Sequence, residues 1–204
     1  MEPDLNLSNT PEYAEYLIKH QKSLRAKIFQ LPYRLHLRYL DLGKTLDVGC
    51  GSGRNLIALP PGSVGVDFNS ILVKSCQKLG LLAFTTDHFL NNFSPESALF
   101  DSLLFSHVAE HMPITQFDKV LKDYLPFLKP KGKIIVICPQ ELGFKTDLTH
   151  IEFVDFLKIQ SIFKQNNIDC KSHYSYPFPR SFGTWFAYNE FINVGEIKSS
   201  QLKT

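Results

Sequence analysis

Beyond Lys44 the chain alternates between two patterns: short unbroken apolar runs, and longer stretches in which apolar residues return every three or four positions. The apolar runs place strands at Thr45–Val48, Ser63–Asp67, Leu82–Thr85, Asp101–Ser106 and Lys133–Cys138. The periodic stretches place helices near Arg54–Leu59, Ser70–Leu79, Thr115–Leu128 and Phe153–Gln165. Parallel neighbours need a crossover connection, and a continuous apolar strand needs cover on both sides, so this alternation predicts a parallel sheet with helices on both faces. Two further runs, Asp169–Tyr176 and Trp185–Val194, follow with no helix between them and are expected to pair antiparallel. The expected fold is α/β: a seven-stranded, mostly parallel sheet with the last strand antiparallel.

Upstream of Lys44 the pattern is helical only. Thr10-Pro11-Glu12 reads as an N-cap followed by proline at the first helical position. The helix is expected to run to about Gln30, with Tyr13, Tyr16, Leu17, Leu24 and Ile28 near one face. Pro32 is expected to interrupt it and leave PYRLHLRYL as a second short helix. The chain thus divides into a helical cap or lid over 1–43, a main domain over 44–195 and a polar tail over 196–204.

Composition narrows the class. A chain of 204 residues, 44% hydrophobic and 21% charged, can bury a real core, which excludes disorder. A net charge of +2 gives no reason to expect a nucleic-acid surface, since such partners select concentrated basic patches. Cys50, Cys76, Cys138 and Cys170 form no C-x-x-C pair; a cysteine zinc site or disulfide framework is not expected, no metal is called for, and a reducing cytoplasmic setting fits. The opening MEPDLNLSN is acidic and polar, unlike a signal peptide, and no apolar run approaches the roughly 18 to 20 residues needed to span a bilayer.

The chemistry concentrates in LDVGCGSGRN, residues 46–55. The turn Gly49-Cys50-Gly51-Ser52-Gly53 leaves the first strand, where glycines permit positive φ and let a ligand press against the backbone. Asp47 sits inside the strand just before it, where an unpaired charge is costly and a partner is expected. Asp67 ends the second strand, suitably placed to accept from both hydroxyls of a ribose. Together these imply a nucleoside ligand at the carboxyl edge of the sheet. The dinucleotide fingerprint is G-x-G-x-x-G, whereas this chain has G-x-G-x-G with an acid two residues ahead.

On these residues the sequence resembles the class I S-adenosylmethionine-dependent methyltransferases, in particular the small-molecule group that includes quinone-ring methyltransferases, over about residues 44 to 195. Further blocks carry the resemblance: Thr86-Asp87-His88 with Phe93 after the third strand, Ser106-His107-Val108-Ala109-Glu110-His111 at the end of the fourth, and Leu128-Lys129-Pro130-Lys131-Gly132-Lys133 entering the fifth, where Lys131 replaces the usual glycine. The resemblance implies a Rossmann-like sheet and S-adenosylmethionine as cofactor. It also implies Asp47 at the amino end of the methionine, Asp67 at the ribose and Asp87 at the adenine amino group. Gly49, Cys50, Gly51, Gly53, Asn55, Phe68, His88 and Ser106 complete the implied cofactor set.

Methyl transfer to a small molecule needs alignment above all, and a base only where the acceptor loses a proton. His107 and His150 are the candidates for that base; Asp147-Leu148-Thr149-His150 resembles a D-x-T-H segment of part of this group. Glu110 and His111 are expected to brace the following helix, and Asp147 or Thr149 to cap one. The aromatic stretch YPFPRSFGTWFAYNEF could wall a flat acceptor, with Arg180 meeting an anionic group, or could be core. Arg34 and Arg38 read as a solvated helix face. A nucleotide-dependent oxidoreductase, a nucleic-acid or protein methyltransferase, and a non-catalytic binding partner remain as alternatives; the acceptor atom and the oligomeric state are not legible.

Overall fold

The computed structural model describes residues 10–22, 24–96 and 100–198, with the backbone alone for 20–22 and 24–29. The opening segment 1–9 and residues 199–204 of the expected polar tail lie outside the described residues. Seven strands form one sheet: β1 (Thr45–Val48), β2 (Val64–Asp67), β3 (Ala83–Thr85), β4 (Phe100–Ser106), β5 (Leu128–Pro139), β6 (Ile168–Tyr176) and β7 (Glu190–Ile197). Their order is β3-β2-β1-β4-β5-β7-β6. β1 to β5 pair parallel, and β7 is antiparallel to both β5 and β6. The expected α/β sheet with an antiparallel last strand is what forms.

Alternation along each strand feeds two cores. Leu103, Phe105, Ile134 and Val136 face one side, covered by α4 (Thr86–Asn92), α5 (Ile114–Tyr124) and α7 (Phe156–Gln165) through Phe89, Phe117, Leu121, Ile159 and Phe163. Leu104, Ile135, Ile137 and Ile192 face the other, covered by α2 (Leu24–Tyr39) and α3 (Ser70–Lys78) through Leu37, Val73 and Cys76. Connections leave β1 toward β2 on one side while β4 lies on the other, so the strand order reverses at β1 and β4. Ligands of open α/β sheets bind outside the carboxyl ends of the strands at such a point.

Several expected elements are reshaped. The helix expected at Arg54–Leu59 is a single 3₁₀ turn, Leu56–Ala58; between Gly53 and Pro60-Pro61 there is too little chain to propagate an α-helix. Pro32 does not interrupt the second helix. α2 runs through it, and docking compensates: the Tyr176 hydroxyl donates to the Pro32 carbonyl at 3.0 Å, and His36 stacks on Tyr176 with its Nε2 2.7 Å from the Tyr174 hydroxyl. α4 occupies what read as a loop, started by Thr85, whose hydroxyl accepts from the His88 amide at 3.3 Å. β5 begins at Leu128, five residues before the apolar run, and carries Lys131 in the left-handed region at φ 60°. β7 begins at Glu190, not Trp185; Trp185 stands 83% exposed after a 3₁₀ turn, Arg180–Thr184. α1 (Pro11–Lys22) forms at the expected start, and Asp155 caps α7 through the Lys158 amide at 3.0 Å.

Candidate active site

The glycine turn is tied down on its strand side. The amides of Gly49 and Cys50 both donate to the Val66 carbonyl, at 2.8 and 3.0 Å, and the Gly51 amide donates to Asp67 Oδ2 at 2.8 Å. All three glycines adopt positive φ: 75° at Gly49, 54° at Gly51 and 85° at Gly53. Their surroundings differ. A Cβ on Gly49 would strike Val108 at 2.4 Å and one on Gly53 would strike Leu81 at 2.7 Å, so these two serve close packing. A Cβ on Gly51 would meet nothing within 4 Å. Gly51 is therefore where the backbone lies bare to an incoming molecule.

Asp47 is 1% exposed, and neither carboxylate oxygen has a hydrogen-bond partner among the described residues. Burial pushes its carboxyl up to about 7, with nearby Arg54 opposing and Asp67 adding to the rise. Among the described residues, no hydrogen-bond donor meets this acid.

Asp67 is already engaged. Besides Gly51 it accepts from the Asn69 amide at 2.8 Å, and the Asn69 side chain in turn caps α3. Each carboxylate oxygen keeps a second lone pair for a ligand. Burial raises its carboxyl against these two bonds. Phe68, Asp87 and His88 are exposed, on the surface beyond β2 and β3, and do not line the main cavity; His88 stacks on Phe84 at 5.5 Å.

That cavity, about 440 Å³, lies over the carboxyl edge. Gly49, Cys50, Gly51, Arg54 and Asn55 form its floor with Ser106 and His107; Pro139, Gly143, Asp147, His150, Tyr188 and Glu190 form one wall. Tyr13, Tyr16 and Leu17 of α1, with Gln30 of α2, form the opposite wall. Burial, then Asp147, pushes the Tyr13 hydroxyl up to about 12.

His107 stands at the end of β4 in the left-handed region, φ 58°, a costly conformation for a residue with a Cβ. It places the ring between two carboxylates. Nε2 lies 2.7 Å from Glu190 Oε1, and Nδ1 lies 3.1 Å from Glu110 Oε1, an ion-pair contact without hydrogen-bond alignment. Burial alone would lower its pKa, but Glu110 and Glu190 outweigh burial and push it up to about 9. Both ring nitrogens of His107 thus face carboxylates, which favours the protonated ring.

Glu110 does not brace α5 either. It is fully buried, and the first amide of α5, Ile114, donates to Glu152 Oε2 at 2.8 Å instead. The Glu110 carbonyl accepts from the amides of Ile151 and Glu152, which draws the 147–152 segment against it. Within that segment Asp147 Oδ1 accepts from the Thr149 amide at 2.9 Å and hydroxyl at 2.6 Å, a local turn and not a helix cap. His150 Nδ1 lies 2.8 Å from the Phe144 carbonyl, which fixes the proton there and leaves the Nε2 lone pair free, 4.0 Å from Glu110 Oε1. Burial lowers the His150 pKa against the pull of Glu110, which favours the neutral ring. Arg180 pairs with Glu141 through both terminal nitrogens and lies over the Phe191 ring, so it is already committed to a carboxylate.

Glu190 was absent from the sequence-based site. Its signal was available: an antiparallel strand inserted beside β5 begins at the edge where the parallel strands end, and Glu190 pairs with Pro139 there.

Residues 45–132 match a methyltransferase-domain family. No curated protein matches the chain. Among solved structures, a SAM-dependent methyltransferase from Archaeoglobus fulgidus is similar at a TM-score of 0.66 and 18% identity, over 89% of this chain and 99% of that one. Magnesium protoporphyrin IX methyltransferase from Synechocystis PCC 6803 with bound SAH gives 0.66 and 13%, over 95% and 97%. A pyocyanin biosynthetic protein gives 0.67 and 14%, over 97% and 62%. Over residues 45–132 the chain matches a methyltransferase-domain family, and its sheet has the fold of these S-adenosylmethionine-dependent methyltransferase structures.

Proposed function

We propose that this chain is an S-adenosylmethionine-dependent methyltransferase that acts on a small molecule held in the cavity between α1 and the glycine turn. The observation that carries the cofactor assignment is the pairing of an orphaned buried carboxylate, Asp47, with bare backbone at Gly51. The cofactor, when bound, supplies a methyl group on a cationic sulfur and presents an ammonium group at its methionine end. Asp47 answers the ammonium, and the open face of Gly51 admits the chain that bears it. Asp67 turns its spare lone pairs to the ribose, and Phe68, Asp87 and His88 serve the adenine on the outer surface.

A cavity of about 440 Å³ suits a small acceptor. Its acids, Asp147 and Glu190, with Glu110 and Asp47 buried behind, disfavour a polyphosphate backbone. α1 excludes water from the transfer, as a lid over 1–43 would. Where the acceptor must lose a proton, the His150 Nε2 lone pair receives it; proton transfer of this kind contributes about a hundred- to ten-thousand-fold.

Calorimetry with S-adenosylmethionine and its demethylated product tests the assignment. Wild type is expected to bind both, and Gly51→Val to bind neither while keeping its circular dichroism, because a branched side chain would fill the open face. Normal binding by the folded variant would place the ligand elsewhere.

A further inference from the structure

Cysteine spacing called for no metal, but the fold assembles a different donor set. One nitrogen each of His111 and His150 and a carboxylate oxygen of Glu110 lie within 4.8 Å of one another. Both histidines border the cavity, and Glu110 is fully buried behind them.

Three features set this cluster apart from a chance gathering. First, neither oxygen of Glu110 has a hydrogen-bond partner among the described residues; Oε1 makes only ion-pair contacts, with His107 at 3.1 Å and His150 at 4.0 Å. A buried carboxylate left this way is costly unless something else satisfies it. Second, each histidine is held through Nδ1 on a backbone carbonyl: His150 on Phe144 at 2.8 Å, and His111 on Thr149 at 3.2 Å, with the Thr149 hydroxyl at 3.0 Å. Ligand histidines are oriented by such bonds, which fix the neutral tautomer and aim the other nitrogen. Third, His107, itself steadied by Glu190, holds the carboxylate at Oε1, and that same oxygen lies 4.0 Å from His150 Nε2.

We propose that Glu110, His111 and His150 bind one divalent transition-metal ion at the edge of the cavity, and that its open positions take an oxygen donor of the methyl acceptor. Two imidazoles with one carboxylate suit manganese, iron, cobalt or zinc better than calcium or magnesium, which favour all-oxygen sites. Bonds of about 2.0–2.2 Å need only small inward side-chain shifts from the present spacing. The inference rests on the methyltransferase reading for its acceptor, but the ion site itself does not. With an ion bound, His150 is a ligand and the ion takes over activation of the acceptor oxygen; without one, His150 keeps its lone pair for the proton.

The test is titration of the metal-stripped full chain with Co²⁺, read by calorimetry and visible absorption, with S-adenosylmethionine binding measured on the same samples. One Co²⁺ per chain is expected, with an absorption band that moves when catechol is added. His111→Ala and His150→Ala should each weaken binding by about tenfold or more, and Glu110→Gln, which keeps shape and removes charge, should do the same. No Co²⁺ binding by wild type, or binding that survives all three substitutions, overturns the site. A band that catechol leaves unmoved overturns the oxygen-donor role. Loss of ion binding alone leaves the methyltransferase reading intact, and loss of S-adenosylmethionine binding alone leaves the ion site intact.

Discussion

Asp47 shows how a single residue can trade stability for a ligand. Its carboxyl is raised from 3.8 to about 7 by burial, so the folded protein prefers it neutral. The sign follows: the stability this preference confers is fully present below pH 3.8 and is lost as pH rises through about 7. Asp47→Asn keeps the shape and removes the titration. Its melting temperature is expected to exceed that of wild type at pH 8, with the difference shrinking toward acid, and scanning calorimetry across pH reads this directly. The same variant should bind S-adenosylmethionine about 10- to 100-fold more weakly, the loss of a hydrogen bond to a charged group. A pH-independent difference in melting would mean that Asp47 is satisfied within the fold. The acid's need for a partner was legible from its place in an apolar strand. The clamp on His107 was not, because it depends on Glu190, which lies 83 positions away.

Elements were legible where they were long and periodic. α3, α5 and α7 lie close to their expected positions, since an amphipathic stretch between apolar runs has one good way to bury its stripe. Boundaries failed where backbone conformation overrode side-chain pattern. β5 starts early because a polar segment, Lys129–Lys133, continues the pairing into a bulge, with Phe100 opposite Leu128. Lys131 sits at φ 60° in that bulge, where a Cβ costs roughly 1–2 kcal/mol and glycine costs little. Lys131→Gly is therefore expected to stabilise the protein by about 0.5–1 kcal/mol after glycine's greater unfolded-state entropy is deducted. Urea unfolding measures it; a destabilised variant would show that the Lys131 side chain makes a contact worth more than the backbone relief. The aromatic stretch 176–191 defeated periodicity for another reason: Phe178, Phe182, Phe186 and Tyr188 pack on each other in a non-repeating connection. Asn189 and Gln140 bond side chain to side chain beneath it at 2.9 Å.

At the scale of the molecule, β7 starts at the carboxyl edge, with Glu190 opposite Pro139, and runs back to the amino edge, with Glu196 opposite Lys133. α1 walls the cavity, and α2 is fastened to the far side of it by Tyr33, whose hydroxyl donates to the Tyr188 carbonyl, and by Tyr176. Among the described residues no helix is long and apolar enough to cross a membrane. If residues 10–22 close over the cofactor, proteolytic cleavage there should slow when S-adenosylmethionine is present. Equal cleavage rates with and without it would make α1 a fixed wall.

The fastening of α2 also sets an order of events during synthesis. The helix is made early, yet its anchors at Tyr174, Tyr176 and Tyr188 emerge only after most of the sheet has been translated. Glu190, which completes the histidine clamp, arrives later still. While the ribosome is at work, β1 to β5 can pair in sequence, but the cavity has one wall unattached and Glu110 shares its histidine with no second acid. A nascent chain stalled before residue 176 would hold most of the sheet and still lack a competent site. Long-range closures of this kind are paid last and fold slowly, so the cavity gains its Tyr188 and Glu190 wall only after those residues have been made.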